Sequence, residues 1–312
     1  MPLLSVRRYA LTSALAAALL LPSVLFAQDN SKTIVEPVYR LSHNTNDNST
    51  NETANSKTEA ATTQPNEAET KKPHPLDHAL ELAEKGLENF QTNIRDYTAI
   101  MVKRERINDE LLDPEYFSVK IRNARTVDGT DVPFSIYMKF LKPRKNKGQE
   151  VIWVDGRNNG KICAHGAPPI ANLVKVNLDP EGSMAMKNNR YPIYEAGIEN
   201  LVLKLIEKGT RDRAAGDCKV RFVEGTKING RSCTMIEVVH DVQREPYEFH
   251  KAQIFIDEEL EIPVRYAAYL WPEQAGGKPQ LLEEYTYVNI ELNVGLTDKD
   301  FDPSNEEYGY PR

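Results

Sequence analysis

From Leu281 onward the chain alternates with a period of two. Thr286, Val288, Ile290, Leu292 and Val294 fall on one side of an extended segment, and Tyr285, Tyr287, Asn289, Glu291 and Asn293 on the other. That pattern belongs to a half-buried strand and not to a helix, whose faces repeat every three to four residues. Gly295 ends the strand. Thr297 and Asp300 then have the spacing of a capping box, and Phe301 closes the short turn they begin. Such a strand needs neighbours on its edges and a layer over its apolar face, so the chain must build a sheet.

The N-terminus is of a different kind. Arg7 and Arg8 precede an apolar run from Tyr9 to Leu21, Pro22 breaks it, and Leu25-Phe26-Ala27 stands before Gln28. Residues 1–27 therefore read as a signal peptide for export to the periplasm or cell envelope. A retained membrane anchor is the alternative, for which the apolar run is short. Removing the segment takes two arginines and no acids, so the formal charge moves from −7 to −9. So acidic a chain offers no general surface for nucleic acid. Residues 28–72 are rich in Asn, Thr, Ser and Glu and poor in apolar side chains after Leu41, the composition of a disordered linker. Residues 73–312 have the length and apolar content of one domain.

Within that domain, Pro75 stands at a helix start, and Leu76, Leu80, Ala83, Leu87, Phe90 and Ile94 form one apolar stripe. Strands follow over 97–107, 116–122, 133–141, 150–154, 161–165 and 173–178, with a short piece near Met184. A second helix carries Ile198, Leu201, Val202, Leu205 and Ile206 and is expected to end at Gly209. Further strands read over 219–224, 231–240, 250–257 and 262–271, before the closing strand. Roughly ten strands with short Gly-, Pro- and Asn-containing connections and two or three helices predict an α+β fold. Its centre is a large curled antiparallel sheet, an unclosed half-barrel, with the helices over its concave face.

That order of elements resembles the periplasmic lipoprotein-carrier (LolA-like) superfamily, which includes carriers, their outer-membrane receptors and a domain of an anti-sigma-factor regulator. Three passages carry the resemblance: Met138-Lys-Phe-Leu-Lys-Pro143 followed by Glu150-Val-Ile-Trp-Val-Asp-Gly156; Ile228-Asn-Gly-Arg-Ser-Cys-Thr-Met-Ile-Glu-Val238 followed by Ala252–Asp257 and Ile262–Arg265; and the final strand with Phe301. Together they span about residues 75 to 303. More narrowly, the chain resembles an uncharacterised domain family of exported bacterial proteins for which no activity is implied. The arginine that holds cargo in the carriers has no counterpart here, since Arg144 stands in a different context.

Several constellations bear on chemistry. His240 and His250 flank an acidic loop without the spacing of a metal site, and no metal or other cofactor is expected. Cys163 and His165 are the one Cys–His pair close in sequence, but no third group or activating turn accompanies them. Of the three cysteines, Cys218 and Cys233 are the candidates for a disulfide. Bridging them needs a hairpin that closes near Gly225-Thr226; a two-residue turn at Asn229-Gly230 sets Cys233 opposite Thr226 instead. Lys142–Lys147 is a basic cluster able to touch anionic headgroups or an acidic partner.

The expected function is non-enzymatic: binding or carrying a lipid or acyl chain between sheet and helices. Phe140, Trp153, Tyr266, Trp271 and Phe301 are the candidates to line the cavity, although alternation leaves open which parity faces inward. Expected partners are a lipid or acylated protein, an envelope protein, or a membrane surface touched peripherally. A protein-interaction or envelope-sensor module on the same scaffold is the alternative, and a hydrolase of envelope material the further one.

Overall fold

The computed structural model describes residues 73–312; the expected signal peptide and linker lie outside the described residues. The first helix, α1, spans Asp77–Asn93. Nine strands follow: β1 (Asp96–Ile107), β2 (Glu110–Leu111), β3 (Glu115–Arg122), β4 (Arg125–Val127), β5 (Thr130–Val132), β6 (Ser135–Lys142), β7 (Glu150–Val154), β8 (Ile162–His165) and β9 (Lys175–Leu178). Two helices, α2 (Ser183–Met186) and α3 (Ile198–Ala215), separate these from β10 (Lys219–Ile228), β11 (Arg231–Val239), β12 (Lys251–Asp257), β13 (Pro263–Leu270) and β14 (Gln280–Leu292).

Twelve strands form one unclosed antiparallel sheet in the order β10-β11-β12-β13-β14-β1-β3-β6-β7-β8-β9, with β2 added beside β1; β4 and β5 form a separate hairpin. The fold is therefore α+β, as the spacing of apolar residues and turns predicts. The first and last long strands, β1 and β14, meet in the middle of the sheet and join its two halves.

Cross-strand pairing traces one face across the whole sheet. Ile236 pairs with Ile254, Ile254 with Tyr266, and Tyr266 with Tyr285. Tyr287 pairs with Met101, Met101 with Phe117, Val119 with Met138, and Met138 with Val151. The helices lie on this face. The buried Tyr97 hydroxyl accepts the Ile198 backbone N–H at 2.9 Å and so satisfies one of the free donors that open α3. Gly209 does not end that helix. It lies inside α3, where an added Cβ would stand 2.9 Å from Leu80 of α1, so the missing side chain lets the two helices approach. The helix ends at Gly216, whose φ of 138° suits glycine.

The opposite face of β6–β8 has its own cover. Tyr137, Ile152, Val154 and Cys163 pack beneath Phe301 and Tyr310 of the C-terminal segment. Tyr310 donates to the Cys163 carbonyl at 3.0 Å, and Tyr137 stacks on Tyr308. The capping box at Thr297 and Asp300 is present.

Four local expectations are corrected. The alternation of the closing strand breaks at Asn289, which adopts φ 53° in a bulge; Leu292 then pairs with Tyr97 and joins the covered face, away from Val288. The residues around Met184 form α2 and not a strand. The hairpin joining β10 and β11 turns at Asn229-Gly230, both with positive φ, so Cys233 faces Thr226. Cys218 precedes β10 altogether, and all three cysteines are free, which rules out the Cys218–Cys233 bridge in this structure. Phe301 lies on the outer face, beneath the Arg122 guanidinium, and not over the end of the helix-covered side.

Candidate ligand cavities

The larger cavity, about 500 Å³, lies between α1, α3 and the strands β10–β13. It exists because α1 turns small residues, Ala79, Ala83 and Gly86, toward the aliphatic row Ile236, Ile254 and Ile256. A Cβ built on Gly86 would meet nothing within 4 Å, so this space is open. Toward the β12–β13 turn the walls include the exposed Leu82, Lys85, Glu258 and Glu261, and there the cavity meets solvent. Elsewhere its lining includes Phe249, Lys208 and the buried Asp212.

Asp212 faces His240, Oδ2 to Nε2 at 3.5 Å, and both side chains are almost fully buried. The His240 Nδ1 lies 3.1 Å from the Phe249 carbonyl, which can only accept, so that nitrogen carries a hydrogen. In neutral imidazole Nε2 is then an acceptor, and two acceptors face each other unless a proton sits on one of them. Burial raises the Asp212 carboxyl pKa and lowers that of the His240 imidazole, driving each toward its uncharged form.

The second cavity, about 340 Å³, lies under residues 180–197, against Met101, Phe117, Met138, Phe140 and Val151. Part of its wall is charged. Glu105 and Glu283, both buried, stand directly opposite each other on β1 and β14. Like charges so placed repel. The roof supplies the compensation: Arg190 Nε donates to Glu283 at 2.8 Å, the Tyr191 hydroxyl to the same carboxylate at 3.3 Å, and the Arg190 backbone N–H to Glu105 at 3.2 Å. Lys103 lies 3.4 Å from Glu105 and 3.2 Å from Glu115, and the Tyr285 hydroxyl donates to Glu105. Lys208, on the wall of the first cavity, reaches the Tyr191 hydroxyl on the wall of the second at 3.5 Å. A polar partition thus separates two apolar spaces.

Phe140 lines the second cavity, edge-on to Phe117. The other aromatic candidates line neither. Trp153 packs beside Phe134 and Tyr194 and donates to the Gly160 carbonyl; Tyr266 is stacked parallel to Tyr285; Trp271 donates to the His240 carbonyl. Large rings on this face fill space, whereas the small residues of α1 leave it. Ala83 stood in the apolar stripe read from the sequence, but nothing there distinguished a residue that packs from one that makes room.

The cysteine and histidine groups have structural partners. His165 lies 3.4 Å from Glu150 and donates through Nδ1 to the Gly166 carbonyl, on the outer face under Tyr310. Burial pushes the Cys163 thiol up; burial, Asp212 and Asp217 push Cys218 up to about 11, the reverse of what a thiolate nucleophile needs. His250 donates through Nδ1 to the His240 carbonyl. Among the described residues no group of three or more His, Cys, Asp or Glu is placed to hold a metal ion, and no helix is long and apolar enough to cross a membrane.

Together, an unclosed antiparallel sheet, helices over one face and two voids between the layers define an α+β half-barrel of the cavity-bearing kind. The chain belongs to the family described as protein of unknown function (DUF1571), whose model matches residues 94–310. No curated protein matches it. Among solved structures it is similar to lipoprotein LppX of Mycobacterium tuberculosis (14% identity, TM-score 0.39, covering 72% of this chain and 100% of that one). It is also similar to a putative outer membrane lipoprotein-sorting protein domain from Vibrio parahaemolyticus (14%, 0.33, 70% and 97%). A third is the MucA/MucB complex of Pseudomonas aeruginosa (16%, 0.39, 72% and 60%). Likenesses this distant bear on neither ligand nor partner.

The opposed glutamates make a direct prediction. Removing one partner of a fully buried ion pair costs about 3–5 kcal/mol, and Arg190, itself 27% exposed, should cost less. Arg190→Gln is expected to lower stability in urea by about 2 kcal/mol. Adding Glu283→Gln to that variant should recover most of the loss.

Proposed function

We propose that the protein is a non-enzymatic binding or carrier protein of the cell envelope, holding an apolar ligand, a lipid or acyl chain, between α1 and the sheet. The observation that carries this reading is the larger cavity and its aliphatic walls. At roughly 24 cal/mol per Å³, a sealed empty void of about 500 Å³ would cost on the order of 10 kcal/mol. That is comparable with the whole stability of a domain. The cavity is instead open at the β12–β13 end, and an entering apolar chain gains by displacing water from Ile236, Ile254 and Ile256. Residues 1–27 act as the export signal in this reading, and 28–72 as a tether.

A specific surface favours contact with a membrane. Ile170, Leu173 and Val174, in the segment between β8 and β9, are 77%, 67% and 61% exposed. The basic turn between β6 and β7 packs beside them, since a Cβ on Gly148 would lie 3.0 Å from Pro168. This turn presents the exposed Arg144, Lys145 and Lys147. Apolar side chains flanked by cations suit an anionic bilayer surface. The second cavity opens on the same side, with Asn146, Gln149 and the exposed Met184 in its wall.

Two experiments follow. Ala83→Trp, which fills the larger cavity, is expected to leave the protein folded by circular dichroism and to abolish uptake of a neutral fluorescent apolar probe. Uptake equal to that of the unmodified protein contradicts the reading. In sedimentation with vesicles, the protein should pellet with phosphatidylglycerol-containing membranes and not with neutral ones. Ile170→Asp combined with Leu173→Asp should release it, and binding indifferent to these changes would remove the docking surface.

A further inference from the structure

The larger cavity has mostly apolar walls and two buried carboxylates, Asp257, which is held by Arg231 and the Glu259 and Leu260 backbone N–H groups, and Asp212. Asp212 lines the cavity, whereas His240 stands behind it, buried between Asp212, the stacked Tyr247 ring and the Phe249 carbonyl. The Asp212 carboxyl is ion-paired with Arg211 through Oδ1 alone, and the imidazole nitrogen that its Oδ2 faces is unsatisfied. Its Oδ1 takes long contacts of 3.3 Å from its neighbour Arg211, and its Oδ2 stands at 3.5 Å from an imidazole nitrogen that makes no hydrogen bond of normal geometry. A polar group left so in the wall of an apolar cavity selects for a ligand that can satisfy it, because a partner that cannot leaves it desolvated.

We propose that Asp212 is the contact for a hydroxyl at the leading end of the bound chain, with His240 positioning it and sharing its proton. The ligand class is then a hydroxyl-bearing apolar molecule. This rests on the cavity reading above and names its ligand. The chemistry discriminates among end groups. Wherever the shared proton sits, it lies between Asp212 Oδ2 and His240 Nε2, so Asp212 offers a ligand only acceptor lone pairs. A hydroxyl donates to them. A carboxylate meets Asp212 acceptor to acceptor, and Lys208, a cation on the same wall of the cavity, already lies 2.7 Å from Glu248. An alkane end cannot donate.

The test is displacement of neutral N-phenyl-naphthylamine from the full-length protein by dodecanol, dodecane and dodecanoate, each delivered from cyclodextrin. The unmodified protein should bind dodecanol about tenfold more tightly than dodecane, the worth of one well-made hydrogen bond. Asp212→Leu combined with His240→Phe removes the facing pair together, so neither is left opposite an unpaired charge, although the Phe249 carbonyl loses its donor; circular dichroism and retained dodecane binding show that the variant folds. In that variant the alcohol preference should fall to less than about threefold while dodecane binding is retained. Comparing preferences between the two proteins cancels differences in ligand solubility. Equal binding of alcohol and alkane by the unmodified protein, or tighter binding of dodecanoate than of dodecanol, overturns the hydroxyl assignment and leaves the cavity reading standing. Failure of all three to displace the probe overturns both.

Discussion

Glu105 and Glu283 face each other on neighbouring strands, on the side of the sheet that the helices cover. Two buried carboxylates in that position repel, and each must be met by cations or hydrogen-bond donors brought from elsewhere in the chain. Those donors come from Lys103, from Tyr285 and from Arg190 and Tyr191 in the roof. The requirement places the roof over the middle of the sheet. Packing alone does not, because the neighbouring surface is apolar and would accept several arrangements of cover. With Arg190 and Tyr191 fixed over the carboxylates, α3 tied to them through Lys208 and α1 drawn against α3 at Gly209, the remaining width of the sheet is spanned and not filled.

The two voids follow from that division. On one side of the partition the small side chains of α1 fall short of Ile236 and Ile254; on the other, the segment 180–197 bridges Phe117, Phe140 and Val151. Lys208 and Tyr191 touch between them. On the outer face of β6–β8, Phe301, Tyr308 and Tyr310 pack over Tyr137 and Cys163. One sheet thus shows two ways of covering an apolar face: aromatic residues from an irregular segment pack onto it, and helices with small residues leave room.

Much of this was legible in the sequence. The two-residue periods gave the strands of the sheet, the apolar stripe gave α1, and Thr297 with Asp300 gave the capped turn. What escaped depended on partners distant in the chain. Gly209 reads as a helix end because glycine usually is one; its role at the crossing with Leu80 needs the fold to be seen. Asn289 breaks the alternation of the closing strand by adopting a left-handed conformation, so residues counted on one side lie on the other. Alternation along the strands does not say which aromatic rings border a cavity, and Trp153 and Tyr266 fill space instead. Phe301 closes the capped turn, but on the outer face and not in the cavity it was a candidate to line, because sequence does not say which face a terminal segment returns to.

The account's central claim is that the space between α1 and the sheet is made for an apolar occupant. The most direct measurement is the native mass of the protein purified without detergent from its native cells. The predicted result is a species heavier than the polypeptide by one small molecule, which organic extraction removes and Ala83→Trp lacks. A mass equal to the polypeptide alone, unchanged after incubation with membranes, would contradict it.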